Sequence, residues 1–333
     1  MKIVNSRCQF FLGKQFIKIF NSQSVSCFCL YNFWSETRNA LKNLCTKNKK
    51  MKKQLFNIPI ITEEEMQKCH REFAKSNLEN PNNFSYWYPK IQSCRYCSEY
   101  IGIPVSKVVK VPEELFENFG MDVPNCRENI KEFVRTTVVP ALGEFMKTNN
   151  LSFPIFVKNG CFSNKFDFNN SCILQSDDLD EITDHIINIQ YTALMLDTGG
   201  YFELVFREYI PFFGTCMPTI YNGMILRPEI RLFYDFDERK ILYMANYWDK
   251  KYCLEKIRDH NEKDGEVFEE FSDYIEKDYL DRSMALRKII EEYNIFDNVD
   301  LKGRWSIDFL MDSRIKAWLI DMAVAHQSAY WEY

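Results

Sequence analysis

Two aspartates near the end of the chain lie where strands are otherwise apolar. Trp305–Met311 and Ala317–Met322 alternate like the two strands of a hairpin, and each contains one acid, Asp308 or Asp321. A loop over Ser313–Lys316 pairs residue 312 with residue 317, and the same register places Asp308 directly opposite Asp321. Facing like charges are unfavourable across a sheet, so we expect a cation between them. Two interpretations stay open: a Mg²⁺ site, or solvated edge carboxylates that a different loop length separates.

Strand alternation also predicts the faces of this hairpin. It places Asp321 on the same face as Ala317 and Leu319. On the repulsion argument alone, removing one aspartate in the absence of metal should leave the stability unchanged or raise it.

Phosphate chemistry is indicated at the end of an earlier strand. Lys158 follows the apolar run Pro154–Val157, and the polar loop Asn159–Phe168 holds a second lysine, Lys165. A lysine at a strand end beside a small polar loop often meets phosphate oxygens. Neither GxxxxGK[ST] nor GxGxxG occurs, which excludes a Walker loop and a dinucleotide fingerprint. The alternative interpretation is a surface lysine beside a turn.

Two arginines also lie inside expected strands. Arg231 shares a strand face with Glu229 in Glu229–Asp235, and Arg207 lies in Phe202–Tyr209. An arginine within a strand is either paired with a neighbouring acid or directed at an anion. Both interpretations stay open for each arginine, and Glu229 is an acid that could pair with Arg231.

Other chemistries find less support. Cys94 and Cys97 form a lone CxxC without a second Cys or His pair, which disfavours structural zinc. The histidines lack HExxH spacing, and no GxSxG motif is present. His326 is near the aspartates in sequence, but we expect it to be a surface residue.

The elements that position these residues change in character near residue 150. Before that point we expect a small α/β unit. It comprises a helix from Thr62 to about Ser76, an aromatic loop over Phe84–Pro89, a strand over Val105–Val111, and a helix over Arg127–Arg135 that Pro140 disturbs.

The second half reads as strands that carry isolated charges. Apolar residues from Ile182 to Leu196 recur at three- and four-residue steps, which predicts an amphipathic helix. Besides the two arginine-containing strands and the hairpin, Lys240–Tyr247 is predicted to be a strand. Residues 250–294 are predicted to be mostly helical and are heavily charged.

Composition excludes several classes of protein. With 42 basic and 47 acidic residues the chain carries a net charge of −5, which disfavours a nucleic-acid-coating role. The 12 cysteines are sparse over 333 residues and show no framework spacing, so we expect reduced thiols in the cytoplasm. An uncharged apolar run long enough for a membrane span is absent from the sequence.

The first fifty residues differ in charge from the rest. Residues 1–50 carry nine Lys or Arg and one acid, Glu36, so they have a net charge of +8 against −13 for residues 51–333. We expect Met51 to start the folded protein and the leader to lie outside it. A transit peptide or an ordinary extension stays open.

Taken in order, these fragments resemble an ATP-grasp domain over roughly residues 150–333. They are Phe156-Val157-Lys158-Asn159-Gly160, Glu203-Leu204-Val205-Phe206-Arg207-Glu208-Tyr209-Ile210, Glu229-Ile230-Arg231-Leu232-Phe233, and Ser306-Ile307-Asp308 through Trp318-Leu319-Ile320-Asp321. The pattern looks closest to the arginine-and-two-lysine clade. It is also similar to the eukaryotic cell-division-cycle proteins that help assemble translation initiation factor two.

The resemblance implies a fold and a site. The fold would be α+β, with an ATP-grasp domain over 151–333 made of two lobes with antiparallel sheets and flanking helices. It would contain a helical insert, 250–294, and follow a small α/β domain over 51–150. Lys158 and Lys165 would hold ATP phosphates, Arg231 would act with Lys158 on the transferring phosphoryl group, and Asp308 and Asp321 would bind Mg²⁺. The nucleotide-binding set would also include Arg207 and the hinge Glu208, Tyr209 and Ile210, whose backbone would meet adenine.

One departure from the family pattern concerns the metal. Where the family usually has Asn two residues after the second acid, this chain has Ala323. The Mg²⁺ site would lack one oxygen ligand unless water or a neighbour such as Gln327 supplies it.

Three functions are compatible with these residues. The leading one is an ATP- and Mg²⁺-dependent ligase that joins a small-molecule or peptide carboxylate to an amine through an acyl phosphate, using positioning and charge. The second is an ATP-loaded assembly factor that grips a protein client without ligase turnover. The third is a relic that binds no nucleotide. None requires nucleic acid or a membrane, and all suit a cytoplasmic protein.

Overall fold

The computed structural model describes residues 63–116, 119, 125–212, 217–312 and 316–332. The leader, the expected start at Met51 and the centre of the hairpin loop lie outside these residues. The chain divides into two compact units, 1–77 and 78–333. Within the first unit the structure describes residues 63–77, which all belong to the helix Glu63–Leu78. The helix expected from Thr62 is therefore confirmed.

Helices and strands alternate irregularly through the second unit. Helix α1 is Glu63–Leu78, described above. The α-helices that follow are α2 Phe84–Gln92, α3 Arg95–Tyr100, α4 Glu113–Phe116, α5 Cys126–Phe133, α6 Val139–Asn149, α7 Phe168–Ser171, α8 Leu179–Leu196, α9 Lys250–His260 and α10 Glu262–Tyr293. The strands are β1 Ser106–Lys110, β2 Ile155–Asn159, β3 Ile173–Leu174, β4 Glu203–Glu208, β5 Thr219–Ile220, β6 Met224–Ile225, β7 Glu229–Asp235, β8 Lys240–Asn246, β9 Arg304–Met311 and β10 Ala317–Val324.

The first sheet has the described strand order β1-β4-β2-β3, and its pairs are antiparallel. Strand β1 pairs with β4 from Ser106 opposite Arg207 to Lys110 opposite Glu203. This sheet therefore contains residues from both sides of the boundary expected near residue 150. Phe156 lies directly opposite Arg207, and Lys158 opposite Val205, so these side chains share one sheet face.

The second sheet has the described order β10-β9-β7-β8 and is also antiparallel. One face is apolar because alternate residues of β9, from Trp305 through Ile307 and Phe309 to Met311, join a single buried cluster. The other face carries the charged residues. Together with the flanking helices, the two sheets confirm the α+β class.

The prediction of an aromatic loop at Phe84–Pro89 is wrong, because this segment begins helix α2. Phe84, Trp87, Tyr88 and Ile91 recur at helical spacing, and all four are buried in the cluster beneath the second sheet. The helix N-terminus is held by Glu203, whose carboxylate accepts hydrogen bonds from the backbone N–H and hydroxyl of Ser85. Burial of the aromatic face outweighs Pro89, which lies inside the helix.

Pro140 disturbs its helix as expected, but without ending it. A π-helical turn, Val134–Val138, joins α5 directly to α6, and Pro140 lies at the start of α6. The expected charged insert is also confirmed as α9 and α10. Its apolar side packs Ile257, Phe268 and Ile275 into the cluster that contains Phe156. Searching the residues that the structure describes, we find no helix with the length and apolarity needed to cross a bilayer.

Candidate functional site

A cavity of about 720 Å³ is lined by residues from the charged faces of both sheets. Lys158 and Arg207 come from the first sheet, and Arg231 and Asp308 come from the second. Lys165 enters from the loop after β2. The fold thus brings the cations and acids singled out in the sequence onto the walls of one cavity.

Three charged residues form a row across adjacent strands of the second sheet. Arg231 lies directly opposite Asp308, and Asp308 directly opposite Asp321. The guanidinium of Arg231 donates two hydrogen bonds to Asp308, from Nε to Oδ1 at 2.8 Å and from the terminal nitrogen to Oδ2 at 2.7 Å. The expected pairing of the two aspartates is therefore confirmed, and a side chain of the protein neutralises the first of them.

The strand register near the loop differs from the predicted one, although the two aspartates still pair. Near the loop, Ala317 pairs with Met311, so the register there is one residue away from the predicted one. A bulge between Leu319 and Asp321 then shifts the register by one residue and brings Asp321 opposite Asp308.

The bulge also changes the face on which Asp321 lies. Ala317 and Leu319 pack in the apolar cluster, whereas Asp321 lines the cavity. The prediction that these three residues share a face is wrong, because the extra residue, Ile320, interrupts the alternation. The carbonyl oxygen of Ile320 accepts a hydrogen bond from Arg207 at 2.5 Å.

Lys158 neutralises the second aspartate. Its Nζ donates to Oδ2 of Asp321 at 2.8 Å, across from one sheet to the other. The Lys158 side chain is 1% exposed and that of Asp321 is 34% exposed. The alternative of a surface lysine is therefore wrong, because the apolar strand carries Lys158 into the interior.

Lys165 pairs with the acid that we had considered for Arg231. Its Nζ lies 3.3 Å from Oε2 of Glu229 and 3.3 Å from the hydroxyl of Tyr247. Burial lowers the pKa of Lys165, but Glu229 and Tyr247 outweigh it, so the net pKa lies above its ordinary value. Burial also lowers the pKa of Arg231, but the charge and hydrogen bonds of Asp308, together with Tyr247 and Asp321, hold the net pKa above its ordinary value. Both side chains stay cationic.

Arg207 is a buried cation of the site that has no acidic partner among the described residues. It is 7% exposed, and within the described residues its Nε has no hydrogen-bond partner. Its guanidinium lies 4.4 Å from the centroid of the Phe156 ring, and we find no acid that forms an ion pair with it in the described part of the chain. Burial lowers its pKa to about 10, only partly offset by Asp321. A buried, unpaired donor of this kind favours an anionic ligand.

The expected hinge lies beside an apolar part of the cavity. Ile210 packs with Leu310 and Ile320, and all three line the cavity. The backbone N–H of Glu208 donates to the carbonyl of Val105. Tyr209 and Glu208 are half-buried cavity residues.

Sequence reasoning missed Arg227, which donates to the carbonyl of Ile210 at 3.0 Å. Half-buried and directly before Pro228, it had no spacing signal that pointed to the site. Asn82 was missed for the same reason. It lines the cavity, and its Oδ1 accepts a hydrogen bond from the backbone N–H of Val324.

The oxygen donors suit Mg²⁺ in type, although each is engaged. Asp308 and Asp321 supply two neighbouring carboxylates, as many as Mg²⁺ commonly takes beside phosphates and water. Searching only the described residues, we find no group of three or more His, Cys, Asp or Glu placed for a metal ion. Gln327 was the expected substitute ligand, and its Oε1 accepts a hydrogen bond from Nδ2 of Asn82 at 2.6 Å. Ala323 also lines the cavity and offers no side-chain oxygen.

The remaining sequence candidates lie elsewhere. Cys94 and Cys97 are buried, and both thiols donate to the carbonyl of Ile295. Burial keeps the pKa of Cys97 far above its ordinary value, as is usual for a thiol packed in a core. His326 is exposed, as expected.

Comparisons with known proteins give structural similarities only. No protein-family model matches the sequence, and no curated protein matches it. The structure is similar to D-alanine–D-alanine ligase from Bacillus anthracis complexed with ATP, with 11% identity, a TM-score of 0.31, and coverage of 74% of this chain and 55% of that chain. It is similar to VanG D-Ala:D-Ser ligase from Enterococcus faecalis, with 10% identity, a TM-score of 0.34, and coverage of 74% and 53%.

A third similarity is to N5-carboxyaminoimidazole synthetase from Staphylococcus aureus complexed with ADP. Its identity is 10%, its TM-score is 0.31, and the coverage is 74% of this chain and 45% of that chain. The chain thus spans about half the length of these proteins. Because every TM-score lies below one half, we draw no function from these similarities.

Proposed function

We propose that the chain is an ATP-grasp protein that binds ATP in this cavity and acts as a carboxylate–amine ligase. The observation that carries the proposal is the convergence of Lys158, Lys165, Arg207 and Arg231 on one cavity, which Arg227 and Lys256 also line. Arg207 is buried without an acidic partner among the described residues, whereas the other three named cations pair with carboxylates. A polyanion such as a triphosphate would compensate Arg207 and compete with those carboxylates for the other cations.

The cavity offers different surroundings to the two ends of a nucleotide. Ile210, Leu310 and Ile320 form an apolar surface for a flat base at the hinge side. The lysines and arginines meet phosphate oxygens. A volume of about 720 Å³ falls within the range of ordinary ligand pockets.

Asp308 and Asp321 are the residues that would hold Mg²⁺ with the nucleotide. Bound MgATP would supply the phosphoryl group that activates the carboxylate for attack by the amine. Lys158 and Arg231 hold these aspartates in ion pairs, so they are positioned to exchange a carboxylate for phosphate oxygens. The chain's own contribution is to bind, orient and neutralise charge, which dominates phosphoryl transfer.

A hydroxylamine assay tests ligase activity without knowledge of the amine. The full chain is incubated with MgATP, a panel of carboxylic acids and hydroxylamine, which converts an activated acid to a hydroxamate. We expect hydroxamate and ADP to form in equal amounts with the correct acid, and Lys158→Ala to abolish both. An exposed-lysine variant, Lys288→Ala, serves as the matched control and should retain full activity.

ATP binding without turnover is the second candidate, and two observations favour it. Ala323 supplies no side-chain ligand, and both aspartates are already held by cations. Tight ATP binding without acid-dependent ADP release would establish this candidate and exclude the ligase. Absence of ATP binding would exclude both.

The finer assignments are part of the same proposal. Lys158, Lys165 and Arg231 would be the two lysines and the arginine of the clade that the sequence resembles, and the similarity to the initiation-factor assembly proteins rests on the last two strands. In the second candidate, a protein client replaces the acid and amine. Reduced thiols, such as buried Cys94 and Cys97, suit a cytoplasmic location.

A further inference from the structure

Past the charge row, the cavity continues into a region that the nucleotide proposal does not use. We call Tyr221, Tyr247, Trp248, Tyr252 and Tyr330 the aromatic compartment, and all five line the cavity. They come from the turn before β6, the end of β8, helix α9 and the last described segment. The compartment is thus built largely by the charged insert and its approach.

Tyr247 joins this compartment to the proposed phosphate site. Its ring centroid lies 4.4 Å from Nζ of Lys165 and 4.9 Å from the guanidinium of Arg231. The neighbouring ring of Trp248 lies 5.3 Å away. A molecule in the compartment would therefore lie next to the residues proposed to act on the transferring phosphoryl group.

The wall formed by Tyr330 is held in an uncommon conformation. Its φ of 68° lies in the left-handed region, which is rare for a bulky residue. Its hydroxyl donates to the carbonyl of Tyr247 at 2.8 Å, its own carbonyl accepts from Tyr243, and its ring lies 4.4 Å from Tyr252. Several contacts thus fix one strained residue beside the cavity, as is common at ligand sites.

Trp248 forms a wall of the compartment rather than a hydrogen-bond donor to it. It is 4% exposed, and its indole Nε1, which has no hydrogen-bond partner across the described ranges, also has almost no accessible surface. A ligand in the compartment would therefore pack against the ring of Trp248 without accepting from its N–H.

The charges select against a cationic ligand. The ring of Tyr247 already faces Lys165 and Arg231, and Lys256 lies 3.3 Å from the centroid of Tyr252. Glu229 and Asp308 already pair with Lys165 and Arg231. Lys256 forms no ion pair among the described residues, so it is the cation that would attract an anion and disfavour an amine. Aromatic walls favour a flat ring, which gains from offset-stacked or edge-to-face contacts.

We propose that the aromatic compartment binds a carboxylic acid that carries an aromatic ring, with the ring packed against the aromatic walls and the carboxylate attracted by Lys256. The proposal rests on the proposed function, because it makes this acid the carboxylate substrate. It names the class of acid, which neither the motifs nor the charge row indicates.

Calorimetry on the full chain, with a saturating non-hydrolysable ATP analogue and Mg²⁺, tests the compartment. The probes are 3-phenylpropionate, hexanoate as an aliphatic acid, and 3-phenylpropylamine as a cation. We expect 3-phenylpropionate to bind at least about tenfold more tightly than either of the others. Equal or tighter binding of hexanoate or of the amine, or no binding of 3-phenylpropionate, would overturn the proposal.

Two tryptophan variants test the aromatic wall. Trp248→Leu removes the aromatic ring and keeps an apolar side chain, and it should weaken 3-phenylpropionate by about tenfold. Trp87→Leu is the matched control, because Trp87 is also buried but does not line the cavity. Unchanged affinity in a folded Trp248→Leu, or an equal loss in Trp87→Leu, contradicts the assignment.

A third variant keeps the test decisive if Trp248→Leu does not fold. Tyr252 is 41% exposed, so Tyr252→Ala should fold and still weaken the aromatic acid. If it folds and binds normally, the compartment is wrong. ATP affinity measured on the same samples separates the two proposals, since loss of acid binding with intact ATP binding refutes only the compartment. Binding of the acid by a chain that binds no ATP refutes only the proposed function.

Discussion

Asp308→Asn tests whether pairing or repulsion governs the aspartates. Repulsion between Asp308 and Asp321 predicts that removing one charge is neutral or stabilising without metal. The structure reverses this expectation, because both oxygens of Asp308 accept hydrogen bonds from Arg231. The substitution would leave Arg231 in the interior with its charge uncompensated.

The magnitudes decide between the two effects. Cross-strand pairs of charges contribute about 0.2–1 kcal/mol. Removing one partner of a buried ion pair costs about 3–5 kcal/mol. Asp308 is 7% exposed, and Asn keeps an amide oxygen that still accepts one N–H of Arg231. We therefore expect a loss of about 3 kcal/mol, at the lower end of the range.

Urea denaturation of the full chain in EDTA, without nucleotide, measures this loss. In a thermal scan, it corresponds to a fall in Tm of about 6–12 °C for a folded region of this size. Arg231→Met and the double variant complete a cycle, and the double variant should be no less stable than Asp308→Asn alone. Glu238→Gln, at an exposed ion pair with Lys240, is the control and should cost less than about 1 kcal/mol.

A neutral or stabilising Asp308→Asn would refute this reasoning. It would mean that repulsion from Asp321 outweighs the pair with Arg231. Additive losses in the double variant would also contradict it, since uncoupled residues do not share an ion pair.

Three further outcomes are expected at the site. Lys158→Ala should keep the fold, because water can hydrate the half-buried Asp321 that loses its partner. The affinity for ATP, measured by calorimetry, should fall by tenfold to a hundredfold, which corresponds to about 1.5–3 kcal/mol. If neither Lys158→Ala nor Lys165→Ala changes the affinity for ATP, the assignment of these lysines to the phosphates is excluded. ATP binding should raise the free energy of unfolding by about 2.7 kcal/mol at a hundredfold excess over Kd. Asp321→Asn should remove the part of this stabilisation that depends on Mg²⁺. If the variant keeps the full rise in Tm with Mg²⁺ and ATP, Asp321 binds no metal. Burial raises the pKa of Cys161 and of Cys172 to about 12, so between pH 9 and pH 12 the unfolded chain binds fewer protons than the folded chain. The free energy of unfolding should therefore fall as pH rises above 9, by up to about 1.4 kcal/mol per pH unit per thiol, and Cys172→Ala should make the urea-measured slope shallower.

Local pattern in the sequence was sufficient for most strands and for the insert. Glu229–Asp235 is a strand with the predicted bounds, because its apolar residues alternate with charge and its ends carry acids. Periodicity also predicted α8, and residues 250–294 were predicted to be mostly helical, as α9 and α10 are. The same rule applied from Phe84 to Ile91 would have predicted helix α2 in place of the expected loop.

The residue types of the site were also readable from sequence. A charge inside an apolar strand is costly, so Lys158, Arg231, Asp308 and Asp321 each required a specific partner. An assumed loop over Ser313–Lys316 further predicted that the two aspartates face each other, which they do after a bulge shifts the register. What each charge contacts was left open, because a charge pairs through space with whichever strand lies beside it.

Only the tertiary structure decided those partners. Strand order places Arg231 against Asp308 rather than Glu229, and packing of the two sheets brings Lys158 onto Asp321. The bulge at Ile320 has no local signal, since it depends on how β10 fits its neighbours, yet it turns Asp321 into the cavity. The aromatic compartment likewise combines residues far apart along the chain, which only a folded chain brings together. Sequence alone thus determined which residues could do chemistry, and tertiary packing determined which charges they meet.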